Sequence, residues 1–380
     1  MHVLSVASGK GGVGKSLFAS NIAIALAQAG RRVILADLDL GASNLHLILG
    51  IGAVKEGIGT YLSGNDLVFE DIIIDTDYKN LKFIPGDAEI PGMANLKTGQ
   101  KTKLIRKLYT LDADFLILDL GAGTSFNTID FFLSSSMGIV VTAPTLTSTL
   151  NAYLFLKNTV FRLMSTIFSK KSKAGEILVN LKKEGTSLQK IYIPKLLERI
   201  KQEDPDSYYQ YMDRMKNFHP MIVLNMLENP KDSLKADKIR RSTKEYLGID
   251  LEHLGIIYFD HLQEIALNSR LPIVIYKPNC VLSQAVYRIA DKLIQKDNEN
   301  TFVADISELE DSYLTANMEA EIDYNIKADT MTEMLHSGAL TEGDLIETIK
   351  AQQYEIKALK KENNFIKVQL AKAIKEGFRI

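Results

Sequence analysis

The sequence predicts an α/β fold in which a doubly wound, mainly parallel sheet is covered by helices on both faces. Over the first 295 residues, short apolar runs alternate with helix-like segments. The runs lack the polar alternation of a half-exposed strand, as expected for parallel strands that are buried on both sides. Because such strands are joined by right-handed crossovers, the loops that follow them should meet at one edge of the sheet.

Local patterns place the individual elements. The run HVLSVA at 2–7 predicts the first strand, and the segment 16–30 predicts a helix that ends at Gly30. Six further apolar runs predict strands, at 31–40, 81–86, 114–123, 138–144, 221–225 and 253–260. The long polar segment 169–219 interrupts the alternation, and we interpret it as a helical insertion into a domain that spans 1–295.

The C-terminal tail differs in charge from this domain. Residues 296–347 are interpreted as an acidic linker with short helices, because Lys327 is the only lysine or arginine between Asp297 and Glu347. In the basic segment 348–380, two heptad positions carry mostly apolar residues: Ile349, Ile356, Asn363, Leu370 and Gln352, Leu359, Ile366, Ala373. A short parallel coiled coil with one buried Asn and a single amphipathic helix packed on its own domain both explain this pattern.

Composition excludes several classes of protein. The net charge of −2 gives no bulk electrostatic argument for nucleic-acid binding. Cys280 is the only cysteine, which excludes a disulfide framework and a cysteine-ligated cluster built within one chain. No stretch of the sequence is long and apolar enough to span a bilayer, and none resembles a signal peptide. A cytoplasmic protein is therefore expected.

The stretch SGKGGVGKS at 8–16 predicts a phosphate site. Gly9, Gly14, Lys15 and Ser16 form the G-x-x-x-x-G-K-S signature of a P-loop NTPase, between a predicted strand and a predicted helix. Glycines let backbone N–H groups face phosphate oxygens, Lys15 contributes a positive charge, and Ser16 contributes a Mg²⁺ ligand. The residues expected to contact the nucleotide are Gly9, Lys10, Gly11, Gly12, Val13, Gly14, Lys15, Ser16 and Leu17.

Carboxylates at two other strand ends complete the predicted site. Asp119 closes the run FLILD and is the candidate that holds Mg²⁺ opposite Ser16. Asp37 and Asp39 alternate along the end of another strand, so both can face the same way. Asp39 is the stronger candidate to orient the attacking water and to contribute to the metal site, whereas Asp37 could equally be a structural residue.

Three segments resemble the MinD/ParA family of ATPases. KGGVGKS at 10–16 resembles its deviant Walker A motif, with a second lysine at Lys10. DLDLGASNLHLILG at 37–50 is similar to its switch I segment, and LILDLGAG at 116–123 to Walker B running into switch II. The resemblance covers 1–168 well and 220–295 moderately, and its nearest branch is that of MinD and the flagellar-number regulators.

The resemblance implies a role for the second lysine. In this family two subunits enclose two ATP molecules face to face, and the lysine at the position of Lys10 reaches the phosphates held by the partner subunit. The resemblance further implies that Asp39 positions the hydrolytic water, that Asn225 reads the adenine edge, and that ATP and Mg²⁺ are the cofactors. An unidentified activating protein and a peripheral contact with the inner face of the cell membrane are also implied.

Three functions follow as hypotheses. The first is a slow ATPase that dimerises on ATP and acts as a spatial switch in positioning or number control of a structure such as flagella or the division site. The second is a partition ATPase that binds non-specific DNA, for which DKIRRSTK at 237–244 is the candidate basic patch, although the charge balance disfavours it. The third is a nucleotide-controlled scaffold that acts through its tail.

Overall fold

A computed structural model gives the fold of the chain. The structure describes residues 1–41, 43–63, 67–86, 96–183, 191–216, 218–299 and 306–336, together with four single positions further on. Contacts divide the chain into two units, Met1–Asp323 and Tyr324–Ile380. The heptad positions predicted at 349–373 lie outside the described residues, and the domain boundary at 295 stays a prediction.

Among the described residues, eight strands form one sheet, in the order β3-β4-β2-β5-β1-β6-β7-β8. All neighbouring strands run parallel except β3 and β4, which are antiparallel. The strands are β1 His2–Ala7, β2 Val33–Leu38, β3 Ile74–Asp75, β4 Leu81–Ile84, β5 Phe115–Leu120, β6 Met137–Thr142, β7 Met221–Leu227 and β8 Glu252–Tyr258. The predicted doubly wound, mainly parallel sheet is therefore confirmed.

The described residues also form helices between and after the strands. Those up to β6 are α1 Lys15–Gln28, α2 Leu45–Ile48, α3 Ile58–Leu62, α4 Thr98–Leu108 and α5 Phe126–Ser134. Those after β6 are α6 Leu146–Ile167, α7 Lys173–Lys183, α8 Ile193–Glu203, α9 Pro205–Met215, α10 Leu234–Leu247, α11 Leu262–Asn268, α12 Ile273–Tyr276, α13 Val281–Glu299 and α14 Ile306–His336. Helices α7, α8 and α9 lie in the segment between α6 and β7 that was interpreted as an insertion.

The sheet has an apolar layer on each face. Alternate residues of each strand enter opposite layers, so that in β5 Leu116 packs with α5 and α6, whereas Ile117 packs with α1 and α13. Burial on both faces explains why the strand sequences are continuously apolar. Helix α1, which follows the glycine loop, is buried between the sheet and α13, so its N-terminus is held firmly at the sheet edge.

The segment 306–336 forms one helix of 31 residues, and this corrects the short helices that we predicted in the acidic linker. It contains no Gly or Pro that would end a helix. In its first half, Tyr313, Ala316 and Ala320 pack against Ile256 and Tyr258 of β8. The Tyr313 hydroxyl also donates a hydrogen bond of 2.9 Å to the carbonyl of Leu251. This half of α14 is therefore part of the core of the first unit.

Candidate functional site

The glycine loop joins β1 to α1, as the sequence predicts. Gly12 and Gly14 have φ angles of 79° and 81°, in the left-handed region that favours glycine. Gly9 is required for a different reason, since a Cβ atom there would lie 2.1 Å from the backbone oxygen of Asn151 in α6. The loop is thus held against α6, with α1 starting at Lys15 and its N–H groups directed at the loop.

Lys15 and Asp119 form a buried ion pair at the centre of this site. The Lys15 ammonium lies 2.6 Å from Asp119 Oδ1, with side-chain exposures of 7% and 1%. The same ammonium lies 3.1 Å from Ser16 Oγ, and Ser16 also hydrogen-bonds to Asp119. Burial raises the pKa of Asp119, while the Lys15 charge acts against that rise. Three of the predicted site residues are therefore in direct contact.

Asp37 fixes the loop that follows β2. It lies beside Asp119 in the register of β2 and β5, and it is almost completely buried. Its carboxylate accepts hydrogen bonds from Ser43 Oγ at 2.6 Å, from the Asp39 N–H at 3.0 Å and from the Leu45 N–H at 3.3 Å. Burial, and next the charge of Asp119, raise the pKa of Asp37 to about 7. These contacts assign Asp37 a structural role.

Asp39 extends past the strand end into a separate cavity of about 220 Å³. The cavity lies between the loop after β2 and the loop after β5, and Gly121 and Thr128 also line it. A Cβ atom at Gly121 would lie 3.3 Å from Asp39 Oδ1, so glycine keeps this approach open. Asp39 contributes to the electrostatic field that raises the pKa of Asp119. The charge of Asp39 therefore acts on the buried Asp119 carboxylate.

Lys10 occupies a different environment from Lys15. Its side chain is exposed, and its ammonium donates a hydrogen bond of 3.1 Å to Thr147 Oγ1 at the start of α6. One lysine of the loop therefore faces the buried carboxylate, and the other lies on the outer surface of the loop.

Asn225 lies beside the loop, near the end of β7. Its Nδ2 donates a hydrogen bond of 2.9 Å to the carbonyl of Val13. A Cβ atom at Gly14 would lie 2.3 Å from the same nitrogen, which is a second reason for glycine there. A small cavity of about 60 Å³ next to Asn225 is lined by Leu17, Tyr258 and other side chains.

The site has the ligands for a magnesium ion shared with phosphate. Mg²⁺ prefers oxygen ligands, and Ser16 offers a hydroxyl and Asp119 a carboxylate. Both oxygen groups already contact one positive charge, the Lys15 ammonium. Among the described residues, no group of three or more His, Cys, Asp or Glu side chains could hold a metal alone. This fits a Mg²⁺ that one or two protein groups bind together with substrate phosphates and water.

Sequence reasoning missed the contribution of α6. Thr147 contacts Lys10, and the backbone of Asn151 fixes Gly9. Both follow β6, whose carboxyl end lies next to that of β1 in the sheet. The rule that loops after parallel strands converge could have indicated this region, but neither residue type has a motif of its own.

Comparison with known proteins agrees with this geometry. Residues 4–357 match the sequence model of the CobQ/CobB/MinD/ParA nucleotide binding domain. The chain belongs to this family. Its fold is shared with the septum site-determining protein MinD from Pyrococcus horikoshii, which was solved in complex with Mg-ADP. That likeness has a TM-score of 0.54 at 22% identity and covers 80% of this chain and 99% of the other.

Two curated relatives match part of the chain. MinD of Helicobacter pylori is 31% identical over 147 residues, which are 38% of this chain and 54% of that protein. The antiactivator FleN of Pseudomonas aeruginosa is 29% identical over 159 residues, which are 41% of this chain and 56% of that protein. The chain thus spans about half the length of the curated relatives it matches. The described part of the chain has no helix that is both long and apolar enough to cross a membrane.

Proposed function

We propose that this protein is an ATPase that dimerises when it binds ATP and hydrolyses it slowly, as a spatial switch. The observation that carries the proposal is the different placement of two lysines in one glycine loop. Lys15 is buried against Asp119, whereas Lys10 is exposed beside Thr147. A lysine on the outer surface of the loop suits a contact with phosphates held by a second subunit, as the family resemblance implies.

The described residues can be assigned roles in such a reaction. Lys15 and the backbone N–H groups of the loop would bind the phosphates, and Ser16 and Asp119 would hold Mg²⁺, which neutralises charge on the phosphates. To do so, Lys15 must leave Asp119 and turn towards the phosphates. Asp39, at the mouth of its cavity, would orient the attacking water and contact the metal site. Asn225 would contact the adenine.

The partner's Lys10 would act on the opposite side of the phosphates. A positive charge supplied from another subunit stabilises the charge that spreads over the transferred phosphoryl group, as an arginine finger does. Such a contact would make hydrolysis depend on the dimer. It would also make the dimer depend on the γ-phosphate, so the nucleotide state would set the oligomeric state.

A measurement of phosphate release tests the catalytic part of this proposal. The parent should release phosphate slowly and with a rate per subunit that rises with protein concentration. Lys15→Ala and Asp39→Ala should reduce the rate at least about tenfold, through lost binding and lost water orientation respectively. Lys10→Ala should bind a fluorescent ATP analogue about as well as the parent does but lose turnover. Parent-like turnover in Lys10→Ala would refute the role in trans.

The spatial role rests on the family and on the relatives named MinD and FleN. We propose that the ATP dimer makes a peripheral contact with a membrane and answers to an activating protein. Co-sedimentation of Asp39→Ala with anionic liposomes, and separately with non-specific DNA, tests this in ATP and in ADP. ATP-dependent pelleting with liposomes supports it. Pelleting with DNA alone would favour the partition function, and pelleting with neither would favour the scaffold.

A further inference from the structure

A cavity of about 410 Å³ lies at the edge of the sheet where the strands begin, and the glycine loop lies at the other edge. Val3 of β1, Met137 of β6, Met221 of β7 and Glu252 of β8 line it, each at or next to the first residue of its strand. The length of β1, about 20 Å for six residues, separates this cavity from the loop. Its volume falls within the range of about 300 to 1,000 Å³ that is usual for small-molecule sites.

The inner wall of the cavity is apolar. Met137, Leu163 and Met221 line it and are at most 5% exposed. Leu133 and Phe218 line it as well, and both pack against the core below. Methionine side chains are flexible and polarisable, so they can adapt to an apolar body of irregular shape. This wall therefore favours a ligand with an apolar part.

Three consecutive serines form a second wall, which is already fully hydrogen-bonded. Ser134 and Ser135 each donate to a carbonyl in the last turn of α5, at 2.8 and 2.7 Å. Ser136 Oγ donates to the Val3 carbonyl at 3.1 Å and accepts from the Val3 N–H at 3.0 Å. Because their hydroxyl hydrogens are used in this way, the serines shape the cavity and are not the groups that would bind an anion.

The outer rim carries positive charge. Glu252 is the only carboxylate in the described lining, and Lys296 neutralises it at 2.9 Å. Arg214 is exposed and has no ion-pair partner within the described residues. Lys216 lies 3.3 Å from Asp213, but both side chains are at least 74% exposed, so this pair is weak. Arg214 and Lys216 thus leave a net positive charge over an apolar interior.

Two further hydrogen bonds hold the rim in place. His219 Nε2 donates one of 2.6 Å to the carbonyl of Lys216, which fixes the segment that carries the cations. The Tyr109 hydroxyl donates another to the carbonyl of Ser134, across the cavity from that segment. A cavity whose walls are fixed in this way requires little ordering when a ligand binds.

We propose that this cavity binds a small organic anion, namely a carboxylate with an aliphatic chain. The alkyl chain lies against Met137, Leu163 and Met221, and the carboxylate contacts Arg214 and Lys216. A guanidinium can donate two parallel hydrogen bonds to a carboxylate, and one arginine with one lysine suits a singly charged head group. The site shares no residue with the nucleotide site, so it does not rest on the proposed ATPase activity.

Isothermal titration calorimetry of the full-length protein with octanoate tests the proposal. Octanoate should bind saturably, and octylammonium, which has the same alkyl chain and the opposite charge, should bind at least about tenfold more weakly. Butyrate should also bind at least about tenfold more weakly than octanoate, because it buries fewer methylene groups. Excess Mg-ADP or inorganic phosphate, the ligands of a glycine loop, should not displace octanoate.

Variants and spectroscopy assign the binding to this cavity. Arg214→Gln combined with Lys216→Gln should weaken octanoate at least about tenfold. Lys195→Gln removes a charge from an exposed residue of α8 outside the cavity, and it should leave the affinity unchanged. These side chains are exposed, so thermal unfolding of the variants should match the parent.

The methionine methyl groups report where the alkyl chain lies. In NMR spectra of protein with isotope-labelled methionine methyl groups, octanoate should shift the signals of Met137 and Met221. The signal of Met226, which lies beside the nucleotide site, should not move.

Several results would overturn the proposal. These are no saturable binding of octanoate, equal affinity for octylammonium, displacement by Mg-ADP or phosphate, or binding that the Arg214 and Lys216 substitutions leave intact. Methyl shifts at Met226 without shifts at Met137 and Met221 would place the ligand at the nucleotide site instead and would also refute it.

Discussion

The Lys15 ammonium donates a hydrogen bond of 2.6 Å to the Asp119 carboxylate, although each residue is assigned a different ligand in the proposed ATP complex. In that complex, Asp119 would instead hold Mg²⁺. Both side chains are buried, so each charge depends on the other for stability. Loading the site with Mg²⁺ and ATP would therefore exchange one cation for another at Asp119.

A double-mutant cycle tests the buried pair. Lys15→Met should lower the free energy of unfolding by about 3 to 5 kcal/mol, because it leaves the Asp119 carboxylate buried without a counter-charge. Lys15→Met combined with Asp119→Asn should recover most of that loss. Urea unfolding of the parent, both single variants and the double variant gives the coupling energy. Additive effects of the two changes would show that the pair does not interact in solution.

The contact between the loop and α6 gives a prediction on stability. Gly9→Ala should lower the free energy of unfolding by about 1 to 3 kcal/mol, because its Cβ atom would lie 2.1 Å from the Asn151 oxygen. Gly11→Ala is the matched control, since no atom of the described residues, apart from its two chain neighbours, lies within 4 Å of a Cβ atom there. It should change the free energy by less than about 0.5 kcal/mol. Equal effects of the two, in thermal or urea unfolding, would contradict this packing.

The raised pKa of Asp37 predicts that the stability of the protein depends on pH. Its pKa is raised to about 7 in the folded protein, so between pH 4 and 7 the folded state binds more protons than the unfolded state. Stability from this group is therefore lost as the pH rises through that window. Asp37→Asn lacks this titration. As the pH is raised from 5 to 8, its free energy of unfolding should therefore increase by about 2 to 3 kcal/mol relative to that of the parent. A constant difference from pH 5 to 8 would contradict the raised pKa.

The lowered pKa of His253 predicts a pH dependence of stability with the opposite sign. Burial, and next the charge of Lys292, lower the pKa of His253 to about 3, and neither ring nitrogen has a hydrogen-bond partner among the described residues. The unfolded state thus binds more protons between pH 3 and 6.5, so stability falls as the pH falls below 6.5. His253→Phe preserves the stacking on Tyr313. As the pH is lowered from 7.5 to 5, the free energy of unfolding of His253→Phe should increase by about 2 kcal/mol relative to that of the parent, as measured by urea unfolding. The absence of this relative increase would contradict a buried neutral histidine.

The sequence was sufficient to predict seven of the eight strands that the described part of the chain forms. Their continuous apolar runs reflect burial on both faces of the sheet, as for Leu116 and Ile117. Such a run can be recognised in the sequence even when the neighbouring strands are not known. The edge strand at Ile74 and Asp75 was missed, because two residues are too few to show a period. The long helix α14 was missed because its apolar face fits the surface of β7 and β8, which only the folded sheet creates.

The candidate site, like the fold, could be predicted from the sequence only in part. The loop at 9–16 could be located because glycines, lysine and serine at fixed spacing have a chemical reason to occur together. The Lys15–Asp119 pair joins residues that are 104 positions apart, and the Lys10–Thr147 bond joins residues 137 apart. Such pairings depend on strand order, because β1 lies between β5 and β6. Sequence motifs specify the residues, and topology decides which of them meet.

The most direct test of the central claim is the mass of the protein in solution with ATP and Mg²⁺. Sedimentation velocity of Asp39→Ala should show a monomer in ADP and a dimer in ATP, because loss of the water-positioning carboxylate preserves the ATP state. Lys10→Ala combined with Asp39→Ala should bind ATP and remain monomeric. A dimer of this double variant in ATP, or a monomer of Asp39→Ala at saturating ATP, would contradict the proposal that Lys10 couples the nucleotide to dimerisation.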